Sequence, residues 1–446
     1  LIELRGKHST AKIMRDDVDS NVLDMVSNIL NHPACTNPVA IQADTHLGKG
    51  IVIGFTMEMS DKIVPSWIGV DIGCNVLSVN LGKLENVNYK DLDRHVRENI
   101  PTGTRIHDKS PINFEKDFDW EGLNVKGKAF AVKYKEKFGK DVKFEEYTYE
   151  WFKGLFDKLN MKRKRAELSI GTLGGGNHYH EMGISKETGD HWYTIHSGSR
   201  NFGKCVCNYH EDVAKETLKN KREVELANKM KEILSDNDNL QNRGRLIKEA
   251  KEGLGLNFET DIKGVEFLEG DNAVDYLRDM LFAQEYAKFN CETMLKIVLE
   301  HFNNVEIKDT IHSVHNLIDF DDWIIRKGAI RSYKGERMII PFNMRDGNLI
   351  VEGKSNPEYN FSAPHGAGRV MSRTVAKKEL KLEDFKEQMK GIYSTSVKTA
   401  TLDESPGAYK DAELIELLIS DTCDVLEHVI PTYNMKDSST FSYRSK

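Results

Sequence analysis

The sequence predicts an α+β fold: a single intertwined domain, residues 1–446, of mixed sheets around a central cleft, with a helical insertion at about 208–304. Three observations predict it. Short apolar runs punctuated by glycine and proline recur in the first third and again after residue 320, as strands require. Longer segments between them carry helical periodicity. Segments rich in chemically capable side chains are spread from residue 44 to residue 436 with no Ser/Gly-rich linker between them, and no internal repeat is present.

In chain order, Ile51–Phe55 and Ile68–Ile72 read as strands. Residues 121–165 are charged and aromatic, helical in parts, and end on Lys162-Arg-Lys-Arg165. Residues 208–254, dominated by Lys, Glu, Asn and Leu, read as surface helices. Asn272–His301 reads as a longer helix with Val274, Leu277, Leu281, Met294 and Val298 on its apolar stripe. Strand-like runs return at Trp323–Ile325, Met338–Ile340 and Leu349–Val351. A last helix is predicted near Asp411–Val429, with Leu414, Leu417, Leu418 and Val425 inward.

Composition narrows the class. The chain is 39% hydrophobic and 30% charged, which suffices for a large core. Ten prolines and 33 glycines exclude collagenous and Pro-rich disordered chains. Apolar stretches such as Ile51–Phe55 are far too short to cross a bilayer, so no membrane association is expected. A net charge of −7 disfavours a protein that coats nucleic acid but permits a local basic groove. Lys162 to Arg165, Arg200, Arg326, Lys327 and Arg373 are predicted to line one. Six cysteines are too few for a disulfide scaffold. No export signal is visible, although the sequence starts on Leu rather than Met, and a reducing, cytoplasmic setting is expected.

Six segments carry chemistry. Gln42–Gly50 sets Asp44 and His46 before a glycine pair bracketing a lysine. Gly69–Asn75 places Asp71 and Cys74 three residues apart, a spacing at which a thiolate can bridge two metal ions while the carboxylate completes one shell. Gly171–Glu181 has three successive glycines, whose backbone can approach a ligand closely and form an anion nest, followed by Asn177, His178, Tyr179, His180 and Glu181. In an extended segment His178 and His180 share a face, and spacing alone allows both as ligands. Tyr193–Arg200 ends an apolar strand on His196, then offers hydroxyls and Arg200 to a phosphate. Ile311–Asn316 carries His312 and His315, which share a face in a helical turn and oppose each other in a strand. Pro364–Arg373 sets His365 before Gly-Ala-Gly, with Arg369 and Arg373 sharing a face if a helix begins there; this suits phosphoryl or nucleotidyl transfer with histidine as nucleophile. Each segment alone also reads as an ordinary polar turn or salt-bridged helix end. Together they imply mixed N, S and O ligands for Mn, Fe, Co or Zn beside a phosphate cradle.

Asp71-Ile-Gly-Cys74, Gly171 to His178, His196 to Arg200, His315-Asn316 and His365 to Arg369 stand in the order found in the RtcB-type RNA ligases, and the chain resembles that family from Asp44 to Lys436. The resemblance implies two Mn²⁺ ions in the cleft, with Cys74 bridging, Asp71 and His178 completing one shell, and His196 and His315 the other. It implies His365 as the nucleophile that takes GMP from GTP, with Arg200 and Arg373 near bound phosphates. It assigns Asn177, Tyr179, Glu181, Ala367, Gly368, Tyr409 and Lys436 to the guanylate pocket, with Glu181 and Lys436 as partners for the base edge. The implied reaction joins RNA ends bearing a 3′-phosphate or 2′,3′-cyclic phosphate to 5′-hydroxyl ends, tRNA being the expected partner. An archease-like helper is a further expected partner, and a monomer the default state.

The chain departs from the family pattern at several points. Asn75 follows the cysteine where glycine is common, and Asn290 precedes Cys291 where arginine is more usual. Asn343 and Asn348 stand in a segment where relatives place serines against guanine, and are expected to substitute for them. Ten residues follow Lys436 and would have to leave the pocket open. A metal-dependent cyclic phosphodiesterase and an RNA-end-binding protein are the alternatives on the same scaffold; neither needs His365 to accept a nucleotide.

Overall fold

A computed structural model describes residues 1–235, 241–257, 265–303 and 305–438. The expected course of the tail after Lys436 falls largely outside them. The architecture is α+β. One mixed sheet and one wholly antiparallel sheet build it, and their orders cross the chain many times. The first runs Ile2–Arg5, Thr10–Ile13, Val39–Leu47, Val52–Glu58, Ile324–Lys327, Asn316–Ile318. The second runs Arg337–Pro341, Asn348–Gly353, Cys423–Lys436, Tyr179–Ser185, His191–Ser197, Asn75–Asn80, Asp309–Val314. A two-stranded ribbon of Ala329–Arg331 and Ser362–Pro364 bridges the cleft region.

Core packing follows the apolar pattern. The helix Gly270–Leu299 buries Leu277, Leu281, Met294 and Val298 as its periodicity requires. It also buries Tyr276, Phe282, Tyr286 and Phe289, so it is a core element rather than a surface one. Phe114, Phe118, Trp120 and Phe152 pack on it edge-to-face and stacked, the arrangements aromatic quadrupoles favour. The helix Arg200–Ser235 starts at the cleft, and its residues beyond Leu218 are largely exposed. No described helix is long and apolar enough to cross a membrane.

Three local expectations are corrected. Ile68–Ile72 is not a strand: Pro65 opens a helical turn, Pro65–Ile68, and Gly69 and Gly73 at φ +94° and +70° curl the chain into a loop. The final helix stops early. It spans Ala412–Leu418, and the strand Cys423–Lys436 follows, because that segment fills the gap between Asn348–Gly353 and Tyr179–Ser185. Sheet pairing overrides its helix-like spacing. Ile415 is the buried residue of the short helix, whereas Leu414 and Leu417 are 38% and 70% exposed. Finally, Arg326 does not line a groove. It is wholly buried and paired with Asp319 and Asp322, while the Lys327 ammonium donates to the Ile68 carbonyl at 3.1 Å.

Candidate metal centre and nucleotide pocket

Strand register assembles the centre. In the second sheet Tyr179 is opposite His196, Asn75 is opposite Ser197, and Asn75 is also opposite Val314. The start of one strand therefore lies beside the end of the next. His178, His196, Cys74 and His315 sit at the same end of four adjacent strands, although 241 positions separate Cys74 from His315. The loop before Asn75 adds Asp71. Cys74 Sγ lies 3.4 Å from His196 Nε2 and 3.6 Å from His178 Nε2. His196 Nε2 is 3.4 Å from His315 Nε2, and His178 Nε2 is 3.1 Å from Asp71 Oδ2. Two three-residue groups result, Asp71–Cys74–His178 and Cys74–His196–His315, sharing the thiol.

Their electrostatics favour a cation. Burial, with neighbouring imidazoles adding to it, pushes His196 and His315 well below the usual histidine range, leaving neutral ligands. Burial would raise Asp71, but the His178 hydrogen bond and charge outweigh it and hold the carboxyl near 2. Burial and the Asp71 charge push the Cys74 thiol well above its usual range, so a thiolate there needs a positive ion beside it. The mixed N, S and O donor set fits a borderline divalent metal at each group.

Two buried asparagines, Asn75 and Asn290, hold this geometry. Asn75 Nδ2 donates to the Gly73 carbonyl at 2.9 Å, and its Oδ1 is 2.8 Å from His312 Nε2, locking the Cys74 loop. His312 thus faces away from the ligands, as strand parity requires. Asn290 Oδ1 accepts from the backbone N–H of Gly171 and Thr172 at 2.8 and 3.1 Å, while its Nδ2 donates to Ser197 Oγ at 3.2 Å. This ties the glycine loop to the start of the helix Arg200–Ser235. Arg200 itself sits at φ +57°, its guanidinium donating to Thr172 Oγ1 at 2.9 Å and the Gly103 carbonyl at 2.7 Å.

A cavity of about 580 Å³ opens beside the centre. His196, His365, Asn177, Tyr179, Glu181, Asn343, Ala367, Gly368, Arg373, Tyr409 and Lys436 line it, as do Glu404 and Asn434. The His365 ring centroid is 4.7 Å from that of His315. Its Nδ1 is 2.6 Å from Oδ2 of Asp44, a fully buried carboxylate, so Nε2 is the nitrogen left for chemistry. Lys410 pins the strand on either side of Asp44, donating to the carbonyls of Ala43 and Thr45 at 3.3 and 2.5 Å.

Period-two alternation turns Tyr179 and Glu181 toward the cavity and His180 away from it. His180 is therefore no ligand: its Nδ1 lies 3.1 Å from the Tyr193 hydroxyl in the opposite core. Asn348 is not on the wall but behind it, 1% exposed, accepting from Tyr179 Oη at 2.9 Å and donating to Glu181 Oε1 at 2.6 Å. Asn343 is on the wall, and its Oδ1 accepts from the Arg345 and Asp346 N–H groups at 3.0 and 3.1 Å. Burial pushes Glu181 up to about 8 against the opposing pull of Asn434, Lys436 and Asn348.

Arg369 and Arg373 converge, though not along one helix face. The helix starts at Arg373 on a Ser372 cap, and Arg369 lies in an extended bridge to Tyr409. Both reach Glu404, a residue the sequence reading missed. Its Oε1 is 2.5 Å from Arg373 and 3.4 Å from Arg369; its Oε2 accepts from Lys436 at 2.9 Å and Tyr409 at 2.7 Å. Burial alone would raise this carboxyl, but Lys436, Arg373 and Arg369 hold it well below the usual range. Glu404 and Asn434 lie in no glycine- or histidine-rich segment, so only an acidic pair before Ser-Pro-Gly marked the first and nothing marked the second.

A family model described as tRNA-splicing ligase RtcB matches residues 25–437. A relative from Escherichia coli strain K12, named RNA-splicing ligase RtcB, is 27% identical over 437 residues, covering 92% of each chain. The tRNA-splicing ligase RtcB of Pyrobaculum aerophilum is 26% identical, covering 83% of this chain and 81% of its own. The RNA-splicing ligase RtcB homolog 2 of Entamoeba dispar is 27% identical over 89% of this chain and 80% of its own. With a family match over nearly its whole length, the chain belongs to the tRNA-splicing ligase RtcB family, a family of RNA ligases.

Proposed function

We propose that this RNA ligase joins 3′-phosphate or 2′,3′-cyclic phosphate ends to 5′-hydroxyl ends, using GTP and two Mn²⁺ ions through a His365–GMP intermediate. The observation that carries the reading is the buried Asp44–His365 pair, which presents one imidazole nitrogen to a cavity beside two thiol-sharing ligand groups. Asp71, Cys74 and His178 would hold one ion, and Cys74, His196 and His315 the other. When bound, the ions supply Lewis-acid polarisation of phosphoryl oxygens.

The chain's own residues do the rest. Asp44 accepts the Nδ1 proton, keeping the Nε2 lone pair available and stabilising the charge that ring acquires on attack. Nε2 attacks the α-phosphorus of GTP, and pyrophosphate leaves with the electrons of the broken P–O bond. An oxygen of the RNA 3′-phosphate then attacks the same phosphorus and His365 departs neutral. Finally the 5′-hydroxyl attacks the RNA 3′-phosphorus, forming the 3′,5′ bond and releasing GMP; a cyclic end is first opened by water. Arg200 and Arg373, which pack against the backbone at Gly174 and Gly176, steady phosphate oxygens. Glu181, Lys436, Tyr179, Tyr409, Asn177, Ala367 and Gly368 enclose the nucleotide, Asn343 closes the wall, and Asn348 supports Glu181 from behind.

The proposal treats residues 1–446 as one catalytic domain with about 208–304 as a helical insertion. It includes a monomer acting in the cytoplasm on tRNA, assisted by an archease-like helper. The test is covalent guanylylation with Mn²⁺ and α-labelled GTP, with His365→Ala in parallel. Acid-labile, alkali-stable label on the parent and none on the variant is expected. Equal label on both, or none on the metal-loaded parent, would overturn the reading and favour cyclic-phosphate opening alone.

A further inference from the structure

Asn434 lines the same cavity, is 1% exposed, and its Oδ1 has no hydrogen-bond partner among the described residues. Its orientation is set from the other side. Nδ2 donates to Glu181 Oε2 at 2.7 Å, and once Glu181 is ionised, above about pH 8, that oxygen requires the NH₂ rather than the carbonyl end of the amide. The carbonyl end is thereby turned away from Glu181. A buried acceptor left without a donor is destabilising, and most such atoms in folded proteins have partners. An unpartnered one in a ligand cavity marks where a ligand donor belongs.

The neighbouring groups say which donor. Asn348 and Asn434 each donate to one oxygen of Glu181, fixing the carboxylate on the wall while its remaining lone pairs stay available. The Glu181 carboxylate and the Asn434 carboxamide, joined by that hydrogen bond, thus offer two acceptors from neighbouring side chains. A base edge that meets them must offer adjacent donors. Guanine does so with N1–H and its exocyclic 2-amino group. Adenine places the N1 lone pair against the carboxylate, and hypoxanthine has N1–H but no 2-amino group.

We propose that the Asn434 carboxamide oxygen accepts a hydrogen bond from the 2-amino group of a guanine nucleotide, making Asn434 a specificity-determining residue of the pocket. The inference rests on the nucleotide reading above, and adds a residue that reading did not contain. Asn348 is its structural counterpart: it supports Glu181 equally but sits behind the wall and offers nothing to the 2-amino group.

The test is calorimetric titration of the Mn²⁺-loaded protein with GMP, IMP and AMP. Losing the 2-amino contact leaves a buried acceptor unpaired, so wild type is expected to prefer GMP over IMP by about 10- to 100-fold. Asn434→Leu should bring that ratio down to about 1–3. Asn348→Leu should weaken GMP and IMP together and leave the ratio at its wild-type value. An unchanged GMP/IMP ratio in Asn434→Leu overturns the proposal, and so does a wild-type ratio near 1, which needs no variant to fold. If wild type binds none of the three, or binds AMP as well as GMP, the guanine-nucleotide reading itself fails. Discrimination between GMP and AMP without discrimination between GMP and IMP removes Asn434 alone.

Discussion

Asp44→Asn is the most informative substitution at the centre. The side chain keeps its shape, so packing around it should survive, but the acceptor for His365 Nδ1 loses its charge. The hydrogen bond is 2.6 Å long and Asp44 is fully buried, so water does not screen it. A hydrogen bond to a charged group contributes about 1.5–3 kcal/mol, and the ring gains positive charge during attack, so most of this is lost in the transition state. At about 1.4 kcal/mol per tenfold, that is a rate loss of roughly 10- to 150-fold. The tautomer adds a second loss. Asp44 Oδ1 has no hydrogen-bond partner among the described residues, so no such bond fixes which way the new amide turns. With NH₂ toward His365, Nδ1 becomes the acceptor, the proton moves to Nε2, and the attacking lone pair is gone. Comparable aspartate-to-asparagine changes beside a catalytic histidine cost up to about 10⁴-fold. The expected result therefore lies between about 10² and 10⁴. The assay is the single-turnover rate of His365 labelling at saturating GTP and Mn²⁺, with metal content measured on the same samples. A rate within about threefold of wild type, at equal metal content, would refute the claim that Asp44 sets the tautomer.

Three further outcomes follow from the same geometry. Cys74→Ser removes the one side chain common to both ligand groups, so metal analysis after desalting should show both ions depleted, whereas His178→Ala should deplete one; equal depletion by the two variants would contradict a shared thiolate. Glu181 is held neutral below about 8 by burial, and Lys436, Asn434 and Asn348 only partly counter this. A ligand that needs the carboxylate should therefore bind more tightly as pH rises, by up to about tenfold per unit below 8, and level off above it. Guanosine, which has no phosphate to titrate, is the ligand to use, and an unchanged slope in Glu181→Gln would assign the effect elsewhere. Glu404→Gln strips the buried counter-charge from Lys436, Arg373 and Arg369, and urea unfolding should show a loss of about 3–5 kcal/mol. Wild-type stability in that variant would mean that these cations find other partners.

Much of the site was legible because its chemistry is carried by rare residues in glycine-rich surroundings. Asp71, Cys74, His178, His196, His315 and His365 are all drawn together as their motifs implied. His180 was separable from His178 only once the strand was known to start at Tyr179: His178 then lies outside its alternation, while His180 is sent to the side opposite Tyr179 and Glu181. Glu404 and Asn434 escaped notice for a different reason. A carboxylate or amide acquires a role here through the charges brought to it from distant segments, and a local window contains none of them.

The sequence by itself determined the α+β class, the long core helix, the absence of a disulfide framework and the candidate ligand side chains, because composition, periodicity and side-chain chemistry are local properties. Only the tertiary structure decided that Cys423–Lys436 is a strand rather than the end of a helix, since its partners lie 70–81 and more than 200 residues away. The same pairing carries Lys436 opposite Tyr179 and Asn434 opposite Glu181. The strand that local propensity misread is therefore the one that brings Tyr179, Glu181, Asn434 and Lys436 together on one wall of the cavity. Register, which depends on non-local hydrogen bonding and on which face is buried, is the physical quantity that no local pattern encodes.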